Sequence, residues 1–157
     1  MMIEIRKAVS GDCPRIIELV KELATFEKAP NEVTVSQDHF IEGGFGNNPV
    51  WWAFVATKKN KDTNEENIVG FALYYIRFST WKGSSLYLED LLVTEKMRGL
   101  GIGKLLFETI LEECKNKGYK RMCWQVLDWN EPAIKFYKKY GAKLNGEWMN
   151  GSIDLRF

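Results

Sequence analysis

The stretch RGLGIGKLL, Arg98 to Leu106, limits what this chain can fold into more than any other. Gly99, Gly101 and Gly103 alternate with Leu100 and Ile102, an arginine stands before them, and an apolar pattern of helical period follows. The segment ahead of it, SSLYLEDLLV, reads as a strand. A strand, a glycine-rich turn and a helix thus come in succession. Bare backbone at Gly99, Gly101 and Gly103 predicts unusual dihedrals and close approach to a ligand. Successive N–H groups in such a turn converge on an anion. A helix starting near Gly103 adds unpaired N–H groups and the positive end of its dipole. Arg98 and Lys104 add charge. The alternative is a strand-to-helix turn that merely needs glycine.

Two familiar phosphate signatures do not fit. A P-loop would accept Gly103-Lys104, but Leu105 stands where a hydroxyl must hold magnesium, and Arg98 stands where the first glycine is required. In the dinucleotide fingerprint the third glycine would fall on Lys104 or on Leu106. What remains is R-x-x-G-x-G, a pyrophosphate cradle without metal ligands. It suits a molecule that uses its pyrophosphate only as a handle, such as coenzyme A.

Composition narrows the classes further. A net charge of +1 supplies no global field toward nucleic acid or a membrane. No apolar run reaches the ~18 residues of a membrane span, and MMIEIRKAVSGD lacks the pattern of a secretory signal. Cys13, Cys114 and Cys123 form no CxxC pair, so buried thiols in a reducing cytoplasm are expected. His39 is the single histidine and lies in polar SQDHF. A His-rich metal site is therefore not expected, and a His-based nucleophilic triad is close to excluded. There is no G-x-S-x-G elbow either.

Patterning predicts one domain over residues 1–157, with a mixed sheet covered by helices. MIEIRKA is a strand. SGDCPRIIELVKELATFEK is a helix, with Ser10 or Asp12 at its start. SQDHFIEGGFG is a short helix ended by Gly43 and Gly44. PVWWAFVATKK and IVGFALYYIRF form a hairpin around polar NKDTNEEN, and SSLYLEDLLV follows. Lys104 to Lys117 is a helix closed by Gly118. YKRMCWQVL is a strand, NEPAIKFYKKYG a helix with Pro132 in its first turn, and GEWMNGSIDLRF a last strand or hairpin.

The glycine loop in this order of elements resembles the GNAT N-acetyltransferase superfamily. ELATFEK, GGFG, YYIRFSTWKG, LYLEDLLV, LDWNEPAIKFYKKYGA and GEWM extend the resemblance over nearly the whole chain, to the diamine (spermidine/spermine) acetyltransferase branch and its thialysine-acetylating relatives. The resemblance implies an α/β (α+β) GNAT fold: a twisted mixed sheet whose two central strands, here 85–93 and 121–127, splay apart around acetyl-CoA. The splay usually comes with a bulge. It further implies that Leu91, Leu92 and Val93 offer backbone partners to the pantetheine arm, and that Arg98, Gly99, Leu100, Gly101, Ile102, Gly103 and Lys104 hold the pyrophosphate. Asn130, Pro132 and Ala133 would line the other side of the cofactor.

Acetyl transfer to an amine requires that the amine lose a proton, that the oxyanion be stabilised and that the departing thiolate be protonated. Backbone N–H groups serve the oxyanion. The resemblance makes Tyr137 the acid, and a phenol with an ordinary pKa near ~10 is able to donate at neutral pH. Composition alone does not choose between Tyr137 and Tyr140. Glu89 is the base through water; on a regular strand Asp90 would point to the opposite face. The amine pocket would draw on Phe26, Glu27, Trp81, Glu89, Asp90 and Glu147, since carboxylates and aromatic faces suit an ammonium, with Trp124 and Gln125 in the same cleft. The polyamine enzymes carry an acidic residue just before the tryptophan motif; here Ser79 and Thr80 stand there. That favours a small amine or lysine-like amino acid over a long polycation. A protein amine as acceptor, or a non-catalytic acetyl-CoA sensor, are the competing readings. The branch also implies a homodimer.

Overall fold

The structure is a computed structural model describing residues 2–155. Among the described residues there are five strands: β1 (Met2–Lys7), β2 (Trp52–Lys59), β3 (Glu66–Ser79), β4 (Gly83–Val93) and β5 (Met122–Trp124). Four α-helices accompany them: α1 (Cys13–Phe26), α2 (Gln37–Phe45), α3 (Ile102–Asn116) and α4 (Glu131–Lys138). The strands form one sheet in chain order. β1 to β4 are antiparallel neighbours, and β5 joins β4 in parallel after α3. The sheet is therefore mixed, as the sequence implies. The chain falls into two compact units, Met1–Gln125 and Val126–Phe157. The sheet and α1 to α3 belong to the first, and α4 to the second. No helix of the described residues is long and apolar enough to cross a membrane.

Both faces of the sheet are buried. On one, Ala53, Val55, Phe71, Leu73 and Leu92 pack with Cys13, Ile16 and Leu19 of α1, and Phe40 and Ile41 of α2 close the edge. Each fully buried side chain of this kind contributes about 1.5–3 kcal/mol. On the other face lies α3; burial raises the Tyr74 phenol, and the charge of Glu113 on α3 adds to the shift. Leu106 of α3 presses on Gly70, where a Cβ would come within 3.2 Å of its Cδ1 and 2.8 Å of the Leu92 carbonyl oxygen. Burial on both faces turns the middle of β3 into a continuous apolar run without alternation.

Five local expectations are corrected. The α2 glycines do not end their helix, which continues to Phe45. Trp51 lies against them instead: a Cβ on Gly43 would come within 2.8 Å of Trp51 Nε1, and one on Gly44 would overlap the ring. The indole N–H donates to the Phe40 carbonyl at 3.1 Å. Asp12 does not cap α1 with its side chain. Its carboxylate turns back to accept from the Val9 N–H at 2.8 Å and from Arg6 at 2.7 and 3.1 Å. Arg6 also donates to Glu66 at 2.7 Å, tying β1, the entry to α1 and the start of β3 together. α3 starts at Ile102, two residues before the expected point, and β5 is three residues long. No strand forms in residues 146–155. Gly146 and Gly151 interrupt that segment, and Trp148, Met149, Ile153 and Leu155 are all strongly exposed, so no buried face fixes a strand register. Arg156 and Phe157 of the expected hairpin lie outside the described residues.

Candidate active site

The site begins with an irregularity in β4. Leu73 pairs with Asp90 and Tyr74 with Leu88, so Glu89 is an extra residue without a partner on β3. This bulge changes the parity of the strand. Tyr87, Asp90 and Leu92 stand opposite Tyr75, Leu73 and Phe71, and Leu73, Phe71 and Leu92 belong to the core against α1. Asp90 therefore occupies the core-facing register, while Glu89 is exposed beside it. The opposite-face arrangement of a regular strand does not apply.

Electrostatics report the same grouping. The Asp90 carboxyl is half-buried and its pKa is pushed up to about 7, first by burial and then by the charges of Glu89 and Glu27. Burial also raises Glu27, which directly follows α1. Tyr75 and Tyr87 are raised, again by burial first, with the charge of Glu89 adding to both. Their rings lie 5.0 Å apart, and the Arg77 guanidinium sits 5.7 Å from the Tyr87 ring centre. Three carboxylates thus share one neighbourhood at the end of α1, with Phe26 preceding Glu27 in sequence. Such a concentration of negative charge with an aromatic neighbour suits an ammonium group.

Immediately past Leu88 the sheet opens. β4 and β5 pair only from Leu86–Met122 to Leu88–Trp124, whereas β4 runs on for five residues. Over Glu89–Val93 the edge of β4 turned away from β3 has no β5 partner, which leaves backbone groups for a ligand. The Val93 carbonyl is already engaged, since it accepts from Arg98 Nε at 2.9 Å.

A single 3-10 turn, Glu95–Met97, leads into the glycine loop. Gly99 and Gly101 have φ of 77° and 81°, the left-handed region that disfavours a side chain. Nothing lies within 4 Å of where their Cβ atoms would stand. Gly103 corrects the expectation for it. It sits in the first turn of α3 without a positive φ, and a Cβ there would meet only Val93 Cγ2 at 3.8 Å. Leu105 N–H donates to the Gly101 carbonyl at 3.1 Å, so the N–H groups of Ile102, Gly103 and Lys104 precede the helix's own ladder. Open space, left-handed glycines and a helix N-terminus fit a pyrophosphate. Lys104 is exposed, 3.9 Å from Glu108, and Leu100 is exposed as well.

Arg98 does not simply add charge to that cradle. Besides its bond to Val93, its Nη2 lies 3.7 Å from Glu22 and its guanidinium 5.3 Å from the Phe26 ring centre. Glu22 is the residue that sequence reasoning missed. It accepts from the Thr94 hydroxyl at 2.9 Å and from the Glu95 N–H at 2.9 Å. Its one sequence signal is the four-residue spacing to Phe26 on α1, which puts both on one helical face. Nothing in the sequence couples it to Thr94, 72 positions away.

Trp81 is not brought to the carboxylates. It is 85% exposed at the tip of the β3–β4 hairpin, beyond Gly83, and Gly83 alone is about 20 Å along the strand from Glu89. Ser79 has a structural task in that turn, where its hydroxyl accepts from the N–H groups of Trp81 and Lys82 at 3.2 and 3.1 Å. Gly83 completes the turn in the left-handed conformation. At β5, the Trp124 ring meets Phe107 edge-on at 5.6 Å, and Gln125 is exposed. Among the described residues no three His, Cys, Asp or Glu side chains are arranged to hold a metal ion.

In the second unit, Asn130 caps α4 by accepting from the Ala133 N–H at 3.3 Å, with Pro132 in the first turn. Tyr137 is buried and Tyr140 half-buried, and Phe136 lies 5.4 and 5.5 Å from their respective ring centres. Glu147 is exposed, and its N–H donates to Asn145 Oδ1 at 2.9 Å.

Comparison with known proteins agrees with this geometry. Residues 15–142 match the acetyltransferase (GNAT) family. The mouse (Mus musculus) thialysine N-epsilon-acetyltransferase is 38% identical over 155 residues, covering 98% of this chain and 91% of that protein. The human (Homo sapiens) spermidine/spermine N(1)-acetyltransferase-like protein 1 is 34% identical over 140 residues, 88% of this chain and 20% of that protein. Among solved structures, an aminoglycoside acetyltransferase from an uncultured soil metagenomic sample, in complex with sisomicin, superposes with a TM-score of 0.74 at 20% identity. The match covers 98% of this chain and 97% of that one. With a bulged β4, a parted β4–β5 pair and a left-handed glycine loop leading into α3, the chain belongs to the GNAT family of acetyltransferases.

Proposed function

We propose that this acetyltransferase moves the acetyl group of acetyl-CoA directly onto a primary amine of a small molecule, a thialysine-like amino acid or a short diamine. The observation that carries this reading is the bulge at Glu89, which groups Glu89 and Asp90 with Glu27 just where β4 and β5 part. Carboxylates in that position attract an ammonium and then take its proton. The names of the relatives, thialysine and spermidine/spermine acetyltransferases, support the same acceptor class.

In this mechanism Glu89 removes a proton from the bound ammonium through a water, and the freed lone pair attacks the acetyl carbonyl carbon. Backbone N–H groups along Leu91–Val93 stabilise the charge on the carbonyl oxygen. The C–S bond then breaks, and Tyr137 gives its phenolic proton to the departing thiolate. Asp90 and Glu27 hold the amine-bearing chain, with Phe26 and Glu147 as further contacts. The N–H groups of Gly99 to Lys104 hold the pyrophosphate, and Asn130, Pro132 and Ala133 complete the cofactor contacts. Residues 1–157 act as one catalytic domain, in a cytoplasmic homodimer.

The pH dependence of turnover tests the base. Glu89→Gln is expected to lower kcat/KM about 100-fold, most strongly below the pKa of the acceptor amine. A pH–rate profile identical to that of the unaltered protein removes Glu89 from the role.

A further inference from the structure

We propose that Glu22 is the positioning residue of the pyrophosphate cradle: from α1 it clamps the turn Thr94–Arg98 and so sets where the glycine loop presents its N–H groups. The proposal rests on the acetyl-CoA reading above. Glu22 engages both ends of that turn. Its carboxylate takes the Thr94 hydroxyl at 2.9 and 3.2 Å and the Glu95 N–H at 2.9 Å at the front. At the back it faces Arg98 Nη2 at 3.7 Å, one residue before Gly99. The Thr94 N–H is fixed to the Val69 carbonyl at 2.8 Å, and Arg98 Nε to the Val93 carbonyl at 2.9 Å, so the clamp closes on the sheet. Phe26, one helical turn beyond Glu22, supports the guanidinium from its ring face at 5.3 Å.

The loop needs such a clamp because it cannot define itself. Gly99 and Gly101 populate many conformations when free, and a loop left mobile loses that freedom only when ligand binds. Holding it beforehand removes that cost from the binding step. Arg98 thereby acts as a brace between α1 and the loop. A carboxylate in a phosphate-binding region is otherwise unfavourable, and its charge is offset here by the hydroxyl, the amide and the guanidinium.

The test is calorimetric binding of acetyl-CoA to the unaltered protein and to Glu22→Gln, Glu22→Ala and Thr94→Val, with steady-state kinetics and thermal unfolding of each. Glu22→Ala is expected to weaken binding and raise the acetyl-CoA KM about tenfold, with kcat at saturation within about twofold and the amine KM unchanged. Glu22→Gln keeps an oxygen for Thr94 and Glu95 but loses the charge facing Arg98, so it should recover part of the affinity. Thr94→Val should fall between them. Unaltered affinity in the folded Gln and Val variants, or kcat falling in step with affinity, overturns the role of Glu22. An unaltered protein that binds no acetyl-CoA overturns the cradle reading, and this proposal with it.

Discussion

Replacing Asp90 by asparagine should make the protein more stable at alkaline pH. The carboxyl has an ordinary pKa near ~3.9 but titrates at about 7 in the folded chain, held up by burial, Glu89 and Glu27. A folded-state pKa raised in this way leaves stability intact below about pH 4, removes it progressively from about pH 4 to 7, and leaves it flat above. Each unit of difference corresponds to about 1.36 kcal/mol, so the full loss is at most ~4 kcal/mol; water reaching this half-buried group reduces it toward ~2 kcal/mol. Asparagine keeps the shape and never ionises. Urea unfolding at pH 4.5, 6, 7 and 8 should show the two proteins alike at the lowest pH and the variant ahead by about 2–4 kcal/mol at pH 8. Glu89→Gln and Glu27→Gln should each reduce the alkaline loss by less than Asp90→Asn does, because burial is the largest cause. A stability difference that is constant across this range refutes the reasoning.

Other consequences are open to measurement. Tyr137→Phe should lower kcat about 100-fold with the acetyl-CoA KM nearly unchanged, while Tyr140→Phe should stay close to the unaltered rate; equal losses would remove the assignment. Gly44→Ala should cost about 1–3 kcal/mol in urea unfolding, because its methyl would overlap the Trp51 ring. Asp12→Asn should remove part of the acid sensitivity of folding. Burial works to raise Asp12, but Arg6 and the Val9 N–H outweigh it and leave its pKa lowered, so the stability it adds is present at neutral pH and lost as pH falls through that value. Equal acid-unfolding midpoints for the two proteins would contradict this.

The fold was largely legible because its signals are local. A period-two pattern placed β1, a polar octamer placed the turn after β2, and Pro132 with Asn130 placed the start of α4. The glycine loop was legible because a left-handed φ at Gly99 and Gly101 leaves glycine almost as the only choice. What escaped depends on partners distant in sequence. Gly43 and Gly44 look like a helix stop until Trp51 is seen lying on them. Glu22 looks like a solvated helix residue until Thr94 and Arg98 arrive. The bulge at Glu89 is a mismatch between two strands, so no single strand shows it, yet it brings Asp90 into the core-facing register. The terminal segment has strand-like residues but no covered face, and its apolar side chains stand in solvent.

The most direct test of the account is release of free thiol from acetyl-CoA by the purified protein with thialysine, lysine, short diamines, spermidine and a lysine peptide, each product identified by mass. The account expects release with thialysine or a short diamine, weaker release with spermidine, and one added acetyl group on a primary amine. Release with the peptide alone, or no release while acetyl-CoA still binds, would contradict it.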